Sequence, residues 1–268
     1  MLRHLCPPLL IGVGLLGMLT GCGTFEDTIW QEQQRVKHKR WSTISEGLLD
    51  YNTTTLNNHF PPQHSIDAEG KPLLSWRVLI LPHLRDPEAQ ALYAKFKLDE
   101  PWDSPANKEL LEKIPKVYAP TEYDLAQKGM TKVLGVSGPG TAFVGGLPQG
   151  REVFTDTDWT PLVEAPAKTI VAVQAAPERA VPWTKPEDFP WNPDDPITGM
   201  EVDKKGRITA LFARGEVLNI PHDLPTDQVN ALITISGGEE ANARDFGERL
   251  IPKPKDPLVS ERSLKASP

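Results

Sequence analysis

The stretch Trp41-Ser42-Thr43-Ile44-Ser45-Glu46-Gly47-Leu48-Leu49-Asp50-Tyr51-Asn52-Thr53-Thr54-Thr55-Leu56 decides how the rest of the chain is read. Trp41, Ile44, Leu48, Tyr51 and Thr55 recur in steps of three and four, which places them on one stripe of an α-helix with Leu49 and Leu56 beside it. No proline interrupts the chain from Glu26 to Asn58. His59-Phe60-Pro61-Pro62 then ends the helix, because proline lacks an amide donor and drives the preceding residue out of the helical region. The spacing predicts one long N-terminal helix with a single buried face. Its upstream part, Trp30 to Arg40, is more polar and reads as a stalk.

Downstream of that helix, Leu73-Leu74-Ser75-Trp76-Arg77-Val78-Leu79-Ile80-Leu81-Pro82 is apolar and too short for periodicity to separate a buried helix from a strand. Helical spacing returns at Ala89 to Lys97 and at Asn107 to Lys113, the latter behind Ser104-Pro105 as a start signal. Beyond Lys116, short β-prone runs (Lys132 to Val136, Thr169 to Val173, Ile208 to Phe212, Glu216 to Ile220) alternate with glycine and proline clusters. The last two runs, joined through Ala213-Arg214-Gly215, read as a hairpin. A final helix is expected from Thr226, as its cap, to Ile235, ended by Gly237-Gly238. Helix first and strands later predicts an α+β fold with an antiparallel sheet and short extra helices.

The N-terminal end carries a different signal. Arg3 precedes an apolar run from Leu9 to Leu19 that falls short of the roughly 20 apolar residues a permanent membrane helix needs, and so reads as a signal peptide. Leu19-Thr20-Gly21-Cys22 follows at once and resembles the lipobox of bacterial lipoproteins, which implies acylation of the Cys22 thiol and a mature chain beginning there. Two or more acyl chains anchor a protein stably, whereas one binds only marginally. The expected organisation is a signal peptide over 1–21, a lipid-proximal polar spacer over 22–40, an α+β domain over 41–251 and a disordered tail over 252–268. The expected location is the cell envelope, on the outer or inner membrane.

Composition narrows the function. The chain has 268 residues and a formal net charge of −7. Nucleic acid is not an expected partner, because a phosphate-binding surface needs a concentrated positive field. The one basic cluster, Arg35, Lys37, His38, Lys39 and Arg40, reads as a solvated helix face, with attraction to anionic lipid headgroups as its functional alternative. Both cysteines, Cys6 and Cys22, lie in the first 22 residues, so the folded part has no disulfide or thiolate site to draw on. The 27 prolines are about twice the usual frequency and predict many irregular connections.

Three groups of strings carry a resemblance. They are Leu48 to Pro62 with Tyr51 and Asn58-His59-Phe60-Pro61-Pro62; Gly70-Lys71-Pro72 through Pro82; and Phe96-Lys97-Leu98-Asp99-Glu100-Pro101-Trp102-Asp103-Ser104-Pro105. Gly138-Pro139-Gly140-Thr141-Ala142-Phe143, Val181-Pro182-Trp183-Thr184-Lys185-Pro186-Glu187-Asp188 and Leu232-Ile233-Thr234 add to them. From about residue 40 to 240 the chain resembles the DUF1559 family. The resemblance implies a pseudopilin-like fold, a long N-terminal helix on an antiparallel sheet, and an activity that is unknown, with an older label suggesting solute binding. Two departures stand out. A lipobox leader occupies the place of the prepilin motif many relatives carry, and Lys204 and Arg214-Gly215 stand where relatives carry a histidine and an Asp-Gly pair.

Candidate chemistry is sparse. The sequence has no Gly-x-Ser-x-Gly elbow, phosphate-binding loop or His-Glu-x-x-His signature. His59 and His64 could pair on a metal, but no third ligand stands near them. Asp99, Glu100 and Asp103 around Pro101-Trp102 suit calcium or carbohydrate, and equally suit helix caps and a tryptophan packed over prolines. Trp183 and Trp191 sit in a proline-rich run that would make a rigid recognition surface if exposed and a pinned loop if buried; burial is the favoured reading. The expectation is a noncatalytic, membrane-tethered structural or interaction protein without cofactor or metal, whose partners are the membrane and an envelope protein. The alternative is a lipid-anchored solute-binding module, and a hydrolase with an unrecognised site is the weakest reading.

Overall fold

The predicted N-terminal helix is α1, Phe25–Thr54, in a computed structural model that describes residues 25–54, 60–143, 146–148, 169–235 and 248–249. Trp41, Ile44 and Leu48 are buried and Tyr51 is half-buried, as the spacing requires. The signal peptide, Cys22, His59, Gly237-Gly238 and the tail over 252–268 lie outside the described residues. No helix among the described residues is long and apolar enough to cross a membrane.

The ambiguous apolar run after the helix is both strand and helix. β1 (His64–Ile66) pairs antiparallel with β2 (Pro72–Ser75), and α2 (Trp76–Leu79) follows without a gap. Ser75 makes the switch, its hydroxyl capping α2 by accepting a hydrogen bond from the Arg77 amide at 3.3 Å. α3 (Pro87–Tyr93) starts behind Asp86, which accepts from the Glu88 and Ala89 amides. α4 (Pro105–Lys108) has the expected Ser104 cap but is shorter than the sequence predicts, and Leu111–Lys113 forms a separate 3-10 turn. Asn107, inside α4, also fastens the preceding loop, its side chain accepting from the Lys97 amide and donating to the carbonyls of Lys97, Glu100 and Pro101. α5 (Tyr123–Gln127) was not anticipated.

The remaining strands are β3 (Met130–Thr131), β4 (Val133–Ser137), β5 (Gly146–Pro148), β6 (Ile170–Gln174), β7 (Val181–Pro182), β8 (Phe189–Pro190), β9 (Arg207–Phe212) and β10 (Val217–Pro221). α6 (Thr226–Ile233) and β11 (Glu248–Arg249) complete the order. The main sheet has the order β11-β10-β9-β6-β4-β8 and is antiparallel except where β8 joins β4 in parallel. β9 and β10 form the predicted hairpin. Thr226 is the first residue of α6, not its cap; Pro225 precedes it and offers no side-chain bond.

The alternation of the strands assigns the two faces. Leu134, Val136, Val173, Ile208, Ala210, Leu218 and Ile220 pack with Val229, Leu232 and Ile233 of α6. Val133, Val171, Leu211 and Val217 pack with Trp41, Ile44 and Leu48 of α1 and with the segments around α2 and α3. The sheet is thus covered by α1 on one face and by α6 on the other, the α+β arrangement expected from the order of elements.

Candidate functional site: the polar half of the helix-sheet interface

Helix α1 crosses a surface that changes character along its length. From Trp41 onward it is held by apolar packing and close backbone approach. Leu84 lies against Gly47, so that a Cβ there would meet its Cδ2 at 2.6 Å, and Ser45 donates to the Gly215 carbonyl at 3.0 Å. Between residues 28 and 40 Gln34 alone is buried. Here the sheet offers Thr209 and Asn219, with Gln174 at the boundary beside Trp41, and α1 answers with polar groups. Lys37 donates to the Thr209 hydroxyl at 3.1 Å, Thr209 donates to Asn219 at 2.8 Å, and the Trp41 indole donates to Gln174 at 3.3 Å.

Beside these, Lys132 is almost fully buried between two half-exposed carboxylates, 2.6 Å from Glu122 and 2.5 Å from Glu201, and Gln174 donates to the same Glu201 oxygen. Burial works to raise the Glu122 carboxyl, but the Lys132 ammonium and neighbouring hydrogen bonds prevail and hold it below the usual carboxylate value. Arg40 spans the edge of the seam to the carbonyls of Val117 and Ala119. Desolvation lowers the pKa of both Lys37 and Arg40, opposed by Glu201. The Gln34 Oε1 and Asp203 Oδ2 acceptors are buried without a partner among the described residues. At the tip, the ammonium groups of Lys205 and Lys204 stand 4.0 and 5.2 Å from the centre of the Trp30 ring. Trp30 to Arg40 is therefore laid against the domain, not a projecting stalk as its polarity suggested. Much of the basic cluster is likewise committed: Lys37 and Arg40 face the protein, and Arg35 pairs with Glu32 on the exposed side.

A second polar centre explains the tryptophan segment. Arg77 is fully buried and donates to the Trp183 carbonyl at 2.9 Å, the Val133 carbonyl at 3.3 Å, the Lys185 carbonyl at 2.9 Å and the Glu187 carbonyl at 2.8 Å. It also meets Asp188 Oδ1 at 2.6 Å, an oxygen that accepts from the Trp76 indole and the Gly135 amide as well. The strings 70–82 and 181–188 are thereby tied together. Trp183 is fully buried, edge-on to Phe96 and stacked on Tyr118, with its indole donating to the Leu111 carbonyl at 3.1 Å. It cannot join a recognition surface. Trp191 is half-buried and donates to Asn230 at 3.0 Å, so part of the residue still meets solvent.

The other sequence candidates separate. His64 lies in β1, where burial lowers its pKa. Trp102 is fixed by its amide to the Leu73 carbonyl at 2.9 Å and carries the Lys185 ammonium 5.8 Å from its ring, the packing reading of the Asp99-Glu100-Asp103 region. Among the described residues no group of three His, Cys, Asp or Glu side chains is gathered as a metal site requires. One cluster was not anticipated: Asp50 and Thr54, one turn apart on α1, both reach His83 Nδ1, at 2.9 and 3.2 Å. A nucleophile relay needs carboxylate and hydroxyl on opposite ring nitrogens, so this arrangement ties α1 to the turn at His83 without forming a triad.

The described architecture is an α+β domain in which a long N-terminal helix lies on a mostly antiparallel sheet. Residues 40–162 match the family described as protein of unknown function (DUF1559), and over that span the resemblance read from the sequence is shown. The strings at 181–188 and 232–234 lie beyond the matched span. No curated protein and no solved structure matches the chain.

Proposed function

We propose that this chain is a noncatalytic, lipid-anchored protein of the cell envelope that works by contact with another protein. The observation that carries the interaction reading is an apolar flank on α1. Ile29 and Val36, 44% and 42% exposed, are two helical turns apart and so share one side of the helix, away from the sheet. Exposed apolar side chains that recur on one helix face, on an element rooted in the core by Trp41, Ile44 and Leu48, suit a helix-to-protein contact. The membrane reading rests on Leu19-Thr20-Gly21-Cys22, only a few residues ahead of α1. The pseudopilin-like relationship draws support from the helix-on-sheet order.

Two arms test this. Cys22→Ala is expected to abolish incorporation of labelled palmitate and to move the protein out of the membrane fraction; unchanged incorporation overturns the anchor. A photo-crosslinking residue at Ile29 or Val36, activated in the native envelope, is expected to capture one defined protein. Recovery of a small molecule and no protein overturns the interaction reading.

A further inference from the structure

We propose that residues 25–40 of α1 form a strap that undocks from the sheet as a unit while residues 41–54 stay in place, uncovering Thr209, Asn219 and the Lys132–Glu122–Glu201 cluster. This goes beyond the anchoring and interaction reading, and it does not depend on whether Cys22 is acylated.

Three observations converge on it. The first is the division of the helix at Trp41. The C-terminal half shares the continuous apolar core with Val171, Leu211 and Val217, and leaving would expose Trp41, Ile44 and Leu48 at once. Over 28–40 the N-terminal half buries Gln34 alone and is held by a few polar contacts: Lys37 to Thr209, Arg40 to the 117–119 carbonyls, and Trp30 beneath Lys204 and Lys205. Segments with few buried apolar contacts open at far lower free energy than the core they adjoin.

The second observation is that docking is imperfectly compensated. Lys37 and Arg40 give up water on the sheet, a burial that lowers the pKa of each, and Gln34 Oε1 is buried without a partner among the described residues. Undocking returns all three to water, which offsets the breaking of the Lys37 and Arg40 hydrogen bonds. The third is that the surface beneath the strap suits exposure. Thr209 and Asn219 are polar side chains that hydrogen-bond to each other on the sheet, and Lys132 keeps both of its carboxylate partners and Glu201 its bond from Gln174 when the strap leaves. The sheet is therefore polar where the strap covers it and apolar where the helix never departs. With the strap released, residues 25–40 become a lead that can reach about 50 Å if extended.

The test is hydrogen exchange on the full chain in detergent micelles. Amides of 30–40 are expected to exchange together and at least about tenfold faster than those of 42–50 in the same helix. A smooth gradient from the N-terminal end, or equal protection on both sides of Trp41, overturns the strap. A second arm uses the Lys37→Cys/Thr209→Cys variant joined by a short bis-maleimide, with the bridge verified by peptide mapping against Cys6 and Cys22. The bridge is expected to slow exchange over 30–40 to the rate of 42–50 and to leave 42–50 unchanged. Failure of the bridge to form overturns the docked geometry on which the strap rests, and a bridge that leaves 30–40 fast shows ordinary fraying in its place.

Discussion

Arg77 and Asp188 meet at 2.6 Å with both side chains wholly buried, yet the pair is not symmetrical. Arg77 also donates to four backbone carbonyls, whereas one oxygen of Asp188 takes the guanidinium, an indole and an amide and the other has no partner among the described residues. Arg77→Met strands a carboxylate and four carbonyls, and is expected to cost about 3–5 kcal/mol. Asp188→Asn keeps an acceptor for the same donors and is expected to cost distinctly less. Urea midpoints of the two variants decide it; equal losses would mean that the charge pair, not the carbonyl net, holds the segment 181–188.

The same carboxyl supplies a pH dependence with a definite sign. Desolvation raises the Asp188 pKa above its ordinary 3.8, outweighing Arg77, the indole and the amide. Between 3.8 and the folded-state value, the native protein binds the proton more strongly than the unfolded chain does. This group's contribution therefore falls as pH rises through that window. Asp188→Asn should remove that fall from a plot of unfolding free energy against pH; an unchanged plot sinks the assignment.

Tyr118 is fully buried, stacked on Trp183 and edge-on to Trp76, with a hydroxyl that has no partner among the described residues. Tyr118→Phe keeps the ring and discards the unsatisfied group, and is expected to stabilise the protein by about 1 kcal/mol. Tyr118→Ala removes the ring and is expected to cost about 3–5 kcal/mol. Burial also raises the phenol's pKa, so above pH 10 the unfolded chain ionises while the native state stays protonated. The wild type should then lose stability with rising pH more steeply than Tyr118→Phe, a difference alkaline denaturation curves would show.

What the sequence disclosed follows from what each signal encodes. The spacing of Trp41, Ile44 and Leu48 reports a buried face directly, so α1 and its core contacts were legible. The glycine-marked hairpin β9–β10 was legible because turn chemistry is local. The switch from β2 to α2 was not, because it depends on one hydroxyl cap inside a uniformly apolar run. The stretch Trp30 to Arg40 misled for a related reason: hydrophilic residues look solvated until a polar patch such as Thr209-Asn219 is placed beneath them, and that patch lies on a hairpin far from α1 in sequence. Arg77 gave a trace of its role, an arginine within an apolar run, which a search for buried counter-charges could have followed to Asp188.

Glycine replacements separate backbone strain from crowding. Gly70 and Gly215 both adopt left-handed backbone, φ +83° and +86°, but a Cβ at Gly70 meets nothing within 4 Å while one at Gly215 meets Ser45 Oγ at 2.6 Å and Leu49 Cδ1 at 3.0 Å. Gly70→Ala is expected to cost about 1 kcal/mol from conformation alone. Gly215→Ala should cost more and should loosen the contact of α1 with the hairpin turn, seen as faster amide exchange over 42–50. Equal costs would place the turn farther from α1 than Ser45 and Leu49 indicate.

The two tryptophans of the proline-rich run are expected to behave differently in every assay. Trp183→Ala empties a site enclosed by Phe96, Tyr118 and the Leu111 carbonyl and should cost about 3–5 kcal/mol, with loss of the near-ultraviolet circular dichroism of the stacked rings. Trp191→Ala gives up one hydrogen bond to Asn230 and packing on a half-exposed ring, for a loss of about 1–3 kcal/mol. Of the two, Trp191 alone is partly exposed, so only its substitution can change capture of a partner while the core remains intact. If Trp183→Ala proves as mild as Trp191→Ala by urea unfolding, the buried position of Trp183, and with it the reading of 181–191 as a pinned loop, is wrong.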